Sequence, residues 1–284
     1  MRILSSAKAA VLLRVVLFLV VGYITLQLLA GLLYSFLGLL VASVLGAFAA
    51  AGFANALCVR IYERRQLADI GLHWSTASSR NLLIGLGAGV AAGSVVLGLP
   101  ILAGGARLVP VTEGVAGWTG FLFVTLTLLF GAVGEEMMFR GYGFQVAVPA
   151  FGRMATILPM AVLFGFSHAG NQNVAPLGVF NTFAWGVLLG WSTLRSGDLW
   201  LPSGLHFGWN WALPLYGVNV SGFKMRLTGY AVEWNLGSWW SGGDYGPEAG
   251  WPCTVVVILL AVALTRLPVV QQELPLVRGN VEVA

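Results

Sequence analysis

Long apolar stretches, separated by short polar segments, follow one another along nearly the whole chain. Apolar and polar residues do not alternate at period two, as they would in a membrane barrel, so the pattern predicts an all-α fold. A helix needs about 20 mostly apolar residues to cross a hydrocarbon core of roughly 30 Å. The apolar windows predict about eight transmembrane helices, at residues 10–31, 34–58, 82–104, 117–139, 154–168, 177–194, 202–218 and 252–267.

The composition agrees with this interpretation. Of the 284 residues, 58% are hydrophobic and only 9% are charged, which is too few charges to cover a soluble globule of this size. We therefore expect a single integral membrane domain over residues 1–284, surrounded by the lipid bilayer. The segment Met1–Lys8, followed by an apolar run, resembles the start of a signal peptide. That run is longer than the apolar part of a signal peptide, so it is interpreted as a retained first span.

The distribution of positive charge predicts the orientation. If the N-terminus is cytoplasmic, all but three of the 15 lysines and arginines fall on the inner side, the exceptions being Arg107, Lys224 and Arg226. Positive residues concentrate in cytoplasmic loops. We expect both termini in the cytoplasm of a multi-pass protein in a bacterial-type cytoplasmic membrane. No basic patch with interleaved aromatic residues is present, so no nucleic-acid partner is expected.

Three segments lie between or beyond the windows. The loop Arg60–Arg80 is the most strongly charged and is predicted to be a cytoplasmic connector, with His73 beside Trp74 as a surface histidine rather than a ligand. The segment Val218–Trp251 is rich in tryptophan and glycine, which suits either a cap over a cavity or an aromatic anchor at the membrane interface. The C-terminal tail, residues 268–284, is expected to be mobile.

The fourth window ends in two adjacent carboxylates and an arginine, namely Glu135, Glu136 and Arg140. Ionisable side chains inside lipid are costly by several kcal/mol, which makes them candidates for a functional site. Glu136 and Arg140 lie four residues apart on one helical face and can form an ion pair. Glu135 points about 100° away and remains available, so it is the better candidate for a general base.

Two later windows each bring an imidazole into an apolar helix. Phe164 and His168 form one pair at spacing i, i+4, and His206 and Asn210 form another. A lone histidine on an apolar face is more often a packed core residue than a ligand. Two glutamates, two histidines and an asparagine on three helices are much harder to explain by packing alone.

Chain geometry predicts part of the convergence of these groups. A turn at Phe151–Arg153 lies at nearly equal chain distances from the two glutamates and from His168. Two antiparallel helices joined there would bring these groups to the same depth. His206 follows Pro202 closely and fits this scheme less easily. One resolution is that the hairpin containing Gln145 projects into the cytoplasm.

Taken in chain order, these patterns resemble the three motifs of the CPBP family of intramembrane proteases, which includes the CAAX prenyl endopeptidases and bacterial Abi-type members. The patterns are Glu135-Glu136-x-x-x-Arg140, Phe164-x-x-x-His168 and His206-x-x-x-Asn210. The resemblance covers residues 60–250, of which 117–218 carry the motifs, and it extends to softer features at Leu67–Leu72 and Tyr245–Glu248.

The resemblance implies helices around a polar intramembrane cavity, and an endopeptidase that hydrolyses a peptide bond of a membrane-associated protein or peptide. The implied catalytic residues are Glu135 and His168, which activate water, Glu136 and Arg140, which form a supporting ion pair, and His206 and Asn210, which stabilise the tetrahedral oxyanion. No serine or cysteine nucleophile is needed in such a mechanism.

No cofactor is expected, and zinc is the alternative. Glu135, His168 and His206 could hold a zinc ion with one open position. The chain lacks a His-Glu-x-x-His helix, and His206 is paired with Asn210, which favours a metal-free mechanism.

Two other classes of protein use similar residues. A proton-coupled transporter could employ the glutamates and histidines as a relay, although the sequence shows no internal symmetry of the kind that places a transport site. A non-catalytic scaffold or immunity protein could bind a partner in the membrane without cleaving it. Substrate identity and oligomeric state are not encoded in any recognisable pattern.

Overall fold

The computed structural model describes residues 6–112 and 117–278, which form an all-α membrane protein with one small sheet. Met1 and the last residues of the tail lie outside the described residues. The longer helices are α1 Ser6–Cys58, α2 Thr76–Leu102, α3 Trp118–Arg140, α4 Tyr142–Phe151, α5 Arg153–Ser167, α6 Pro176–Ser196, α7 Trp200–Leu215 and α9 Trp251–Arg266. Short helices are α8 Ser238–Ser241 and α10 Pro275–Arg278, and the strands are β1 Ala106–Pro110 and β2 Tyr230–Trp234. Further single turns are Val59–Glu63, Leu67–Ile70, Gly243–Tyr245 and Pro247–Ala249.

The helices confirm an integral membrane protein. Each predicted window overlaps a helix, and large apolar side chains such as Leu28, Phe36 and Ile258 are exposed on the outside, where lipid would cover them. The segments long and apolar enough to cross a membrane are Ser6–Glu63, Thr76–Leu102, Trp118–Phe151 and Pro176–Ser196.

Helix α1 contains two of the predicted windows, because it is broken at Gly38. This residue has φ 72°, a left-handed conformation that glycine adopts without strain. The chain then folds back on itself, and a Cβ at Gly46 would lie 3.1 Å from the backbone nitrogen of Ala30. The two halves of α1 therefore form an antiparallel hairpin, as the windows 10–31 and 34–58 predicted.

Helices α2 and α7 are in backbone contact through glycines on both sides. A Cβ at Gly85 would lie 2.3 Å from the carbonyl oxygen of Leu201, and a Cβ at Gly204 would lie 2.3 Å from that of Leu82. Glycines recur four residues later on each helix, which is the small-residue spacing that lets membrane helices approach closely. This contact fixes the position of α7 along α2, and therefore the depth of His206 in the membrane.

The run from α3 to α5 bends twice. Helix α3 ends at Arg140, α4 follows after Gly141, and the turn at Gly152, with φ 97°, leads into α5 at the predicted position. Helix α4 does not stand free of the bundle. Its residue Gln145 is fully buried, and a Cβ at Gly143 would lie 2.8 Å from the ring of Phe18 in α1.

The long segment 218–251 contains a strand that the sequence did not predict. Strand β2 pairs antiparallel with β1, with Arg107 opposite Glu233 and their side chains in an ion pair of 2.9 Å. Each strand has only five residues, and the two are distant in sequence, so the sequence contains no hairpin pattern that would predict them. Residues of β2 pack against the apolar core beneath, which holds this segment against the helices.

The described part of the tail has defined contacts. The backbone of Val270 bonds to the side chain of Asn81, and α10 packs against α4. The mobility predicted for residues 268–284 stays a prediction, and residues beyond 278 lie outside the described part of the chain.

Candidate active site

The last turn of α3 holds a buried ion pair. Arg140 donates from Nη1 to Glu136 Oε1 at 3.2 Å and from Nη2 to the carbonyl oxygen of Gly186 in α6 at 3.0 Å. The Glu136 side chain is fully buried, and His206 Nδ1 lies 2.9 Å from the same Oε1 atom. The structure thus brings together a carboxylate, a guanidinium and an imidazole from α3 and α7.

Glu135 has a different environment from its neighbour. Its Oε2 atom lies 3.8 Å from His168 Nε2 and 3.8 Å from His206 Nε2, so that three helices meet at one carboxylate. The Glu135 side chain is 32% exposed, and within the described residues its Oε2 has no hydrogen-bond partner. Glu135 is therefore the more exposed side chain of the two, although its Oε2 atom is itself buried.

The hydrogen bonds indicate the tautomers of both histidines. His168 Nδ1 lies 2.9 Å from the carbonyl oxygen of Phe164, which can only accept, so Nδ1 carries a hydrogen. His206 Nδ1 faces the carboxylate of Glu136 and donates to it for the same reason. When neutral, both imidazoles therefore turn the Nε2 lone pair towards Glu135. Three acceptor atoms around one point suit a hydrogen-bond donor between them, such as water.

A small cavity adjoins these groups. The cavity has an accessible volume of about 20 Å³, which is enough for roughly one water molecule. Its walls are Phe164, His168, Thr182, Trp185, Leu189, His206, Trp209, Asn210, Ser221 and Glu248. Among the described residues, the Asn210 side chain has no hydrogen bond, so its amide is available to a molecule in the cavity. Glu135 does not line this cavity itself, but its Oε2 atom lies 3.8 Å from two residues that do, His168 and His206.

The cavity also contains a carboxylate that sequence reasoning did not select. Glu248 is buried, and its oxygens accept hydrogen bonds from Trp209 Nε1 at 3.3 Å and from the backbone N–H and hydroxyl of Ser221. Burial raises the pKa of Glu248, and the Ser221 N–H bond partly opposes this. In the sequence, only the weaker Tyr245–Glu248 pattern could have indicated Glu248 as a site residue. No helical spacing connects Glu248 to the histidines.

Most of the loop after α5 lies at the surface. Gln172 and Asn173 are exposed, and Asn171 donates to the carbonyl oxygen of Ser221 at 3.1 Å.

The surface histidine predicted at His73 is exposed, and its carbonyl oxygen accepts from Trp200 Nε1 at 3.1 Å.

The distances between the candidate zinc ligands are longer than those of a tetrahedral zinc site. Ligands at about 2.0–2.1 Å from a tetrahedral zinc ion lie ~3.4 Å apart. The separations of 3.8 Å from Glu135 Oε2 to His168 and His206 are both longer. Within residues 6–112 and 117–278, no three His, Cys, Asp or Glu side chains are grouped so that they could hold a metal ion. The mechanism below uses no metal, and the expectation of no cofactor stays a prediction.

The fold and the site define a membrane protein with a polar centre and a small cavity among its helices. Residues 117–212 match the family model described as Rce1-like, type II CAAX prenyl endopeptidase Rce1-like. The matched segment contains all three motifs, from Glu135 to Asn210, and the match confirms the resemblance to the CPBP family of proteases. A comparison with curated proteins found no match to the chain.

Proposed function

We propose that this protein is an intramembrane endopeptidase that hydrolyses a peptide bond of a membrane-associated protein or peptide. The observation that carries the proposal is the position of Glu135, whose Oε2 atom lies 3.8 Å from the imidazoles of His168 and His206 on two other helices. The family match over residues 117–212 supports the same class of reaction.

In the proposed reaction, a water molecule binds between Glu135 and the imidazoles. Its oxygen attacks the carbonyl carbon of the peptide while one of its protons passes to Glu135, which acts as general base. His168, held by its Nδ1 bond to the Phe164 carbonyl, accepts from the water at Nε2 and orients it. The C–N bond then breaks, and the proton on Glu135 passes to the leaving amine nitrogen.

Negative charge develops on the carbonyl oxygen during the attack. The Asn210 amide donates to this oxygen, and so does Nε2–H of His206 when that ring is protonated. Glu136 accepts from Nδ1 of His206 at 2.9 Å and so stabilises its positive charge. One oxyanion donor is typically worth about 3–4 kcal/mol of the barrier.

The location of the site supports a membrane-associated substrate. A site among membrane helices would act on polypeptides that are themselves held at the membrane. Because the matched family model is that of CAAX prenyl endopeptidases, a quenched fluorescent peptide with a farnesylated C-terminal motif is the first probe. Substrates of other kinds can be found by comparing the membrane proteomes of cells that carry the wild-type protein or an inactive variant, in which uncleaved precursors should accumulate.

The test compares the wild-type protein with Glu135→Gln, His168→Ala and His206→Ala in detergent and in cells. We expect each variant to lose peptide cleavage and to accumulate uncleaved membrane precursors. Glu233→Gln is the control, because this glutamate lies in an exposed ion pair with Arg107 on the surface sheet. Normal cleavage by all three folded site variants would refute the proposal. Cleavage that disappears only on removal of a bound metal would refute its metal-free form.

We also propose that both termini are cytoplasmic, which the excess of positive residues on one side supports. A green fluorescent protein fused to the C-terminus should fluoresce, and alkaline phosphatase at the same position should be inactive. The opposite pair of results would reverse the orientation.

A further inference from the structure

The helix that carries the two glutamates is interrupted directly after Arg140. Helix α3 ends there, and α4 begins at Tyr142, so Gly141 separates two helical segments in the buried interior. An interruption of this kind leaves backbone groups at both new ends without partners, and buried backbone groups need hydrogen bonds. The position of Glu135 and Glu136 depends on how these ends are held.

One side chain from α1 bonds to both ends of the interruption. Asn55 donates from Nδ2 to the carbonyl oxygen of Met137 at 2.9 Å, and its Oδ1 accepts from the backbone N–H of Tyr142 at 2.7 Å. It also donates to the carbonyl oxygen of Ala51 at 2.8 Å, which anchors the amide to its own helix. Asn55 is fully buried.

Two further features depend on this contact. A Cβ at Gly141 would lie 2.2 Å from Asn55 Oδ1, so only glycine leaves room for the amide. A second buried amide, Gln145, donates to the carbonyl oxygen of Arg140 at 2.9 Å. Asn55 thus supplies an acceptor for the N–H of Tyr142, and Gln145 supplies a donor for the carbonyl oxygen of Arg140. The carbonyl oxygen of Met137 accepts both from Asn55 and, at 3.1 Å, from the N–H of Gly141.

We propose that Asn55 is a positioning residue of the active site: by bonding to Met137 and Tyr142, it holds the end of α3 in the orientation that pairs Glu136 with His206. The catalytic consequence rests on the proposed function, but the geometric consequence does not. Supporting residues of this kind typically contribute about 10–100-fold to the performance of a site.

The chain offers a closely matched control. Asn81 is also fully buried and makes three hydrogen bonds of 2.7–2.9 Å through its side-chain amide, to Asp198 and to the backbone of Val270. These bonds hold the tail and, through Asp198, the start of α7 about two helical turns before His206, and none of them reaches α3. Asn55→Leu and Asn81→Leu therefore remove the same number of buried hydrogen bonds at two different places.

The deciding measurement is nuclear magnetic resonance of the full chain in micelles, with ¹⁵N-labelled histidine. The protein has only three histidines, and His206→Ala assigns the Nδ1–H proton that is hydrogen-bonded to Glu136. We expect this downfield resonance to shift or disappear in Asn55→Leu and to stay unchanged in Asn81→Leu. An unchanged resonance in Asn55→Leu would overturn the proposal.

Two additions keep the test decisive. If Asn55→Leu does not fold, Asn55→Asp keeps the acceptor for Tyr142 but loses the donor to Met137, and it should still shift the resonance. In the farnesylated-peptide assay we expect kcat to fall by about 10–100-fold in the Asn55 variants, with KM nearly unchanged. If the wild-type protein cleaves nothing, the proposed function fails, while the resonance still decides the role of Asn55.

Discussion

Two buried polar networks, one at the end of α3 and one at the start of α7, differ in how completely they are satisfied. At the start of α7, Asp198 Oδ1 accepts from Ser196 Oγ and from the backbone N–H groups of Trp200 and Leu201. Its Oδ2 accepts from the side chains of Asn81 and Gln272. Every oxygen of this carboxylate has protein donors, so the network stabilises the fold.

The network at the end of α3 is incomplete. The Oε2 atoms of both Glu135 and Glu136 have no hydrogen-bond partner in the part of the chain that the structure describes. Unsatisfied buried polar groups are destabilising and therefore rare, and they are typical of places that bind something. The two networks differ in that the carboxylates of α3 keep acceptors without partners, whereas the carboxylate of Asp198 does not, and the proposed function rests on the first kind.

The largest expected effect is on catalytic activity, and it should occur in the α3 network only. Glu135→Gln should reduce the rate of peptide cleavage by about 10³-fold, since a general base typically contributes 10²–10⁴, and it should leave the unfolding temperature nearly unchanged. Asp198→Asn should do the reverse, with a loss of stability of about 1–3 kcal/mol and little change in the rate per folded molecule. Initial rates and thermal unfolding in detergent provide both measurements. Equal loss of activity in both variants would remove the distinction.

The second prediction concerns the ion pair in the α3 network. Arg140→Met leaves Glu136 fully buried without its guanidinium partner, and breaking such a pair typically costs about 3–5 kcal/mol. The double variant Arg140→Met, Glu136→Gln should recover much of this stability, because no charge remains uncompensated. Denaturant unfolding of the three proteins measures the recovery. A double variant as unstable as the single one would show that Arg140 acts through packing instead.

The third prediction concerns the oxyanion. Asn210 has no hydrogen bond to the described protein, so Asn210→Ala should cost little stability. It should nevertheless lower kcat by about 10²–10³-fold, the range for loss of one oxyanion donor. Asn219→Ala is the control, since Asn219 donates to the carbonyl oxygen of Asp244 at 2.7 Å in the surface segment. A change confined to KM in Asn210→Ala would indicate ground-state binding instead.

The helices and the three motifs could be predicted from the sequence because both depend on local spacing. Apolar length predicts a membrane helix, and residues four apart share a face, so the pairs ending at Arg140, His168 and Asn210 were recognisable. The turn at Gly152 was also recognisable.

The remaining features depend on contacts between distant parts of the chain. Asn55 is 82 residues from Met137, to which it bonds, and nothing near Asn55 indicates this contact. The depth of His206 follows from glycine contacts between α2 and α7 rather than from the position of Pro202. Glu248 enters the cavity from a loop whose path depends on the pairing of β1 with β2.

The smallest expected effect concerns Glu248, which is intermediate between the two networks because its oxygens have donors and yet it borders the cavity. Burial raises the pKa of Glu248 above its ordinary value of 4.5, so the folded chain holds this proton more tightly than the unfolded chain. Stability should therefore fall as pH rises above 4.5 towards the folded-state pKa. In Glu248→Gln this part of the pH dependence should disappear, while Glu233→Gln, changed at an exposed ion pair, should keep it. Thermal unfolding across this range measures the difference. A wild-type protein that becomes more stable over the same interval would mean that Glu248 is satisfied as an anion, like Asp198, and belongs to the structural network.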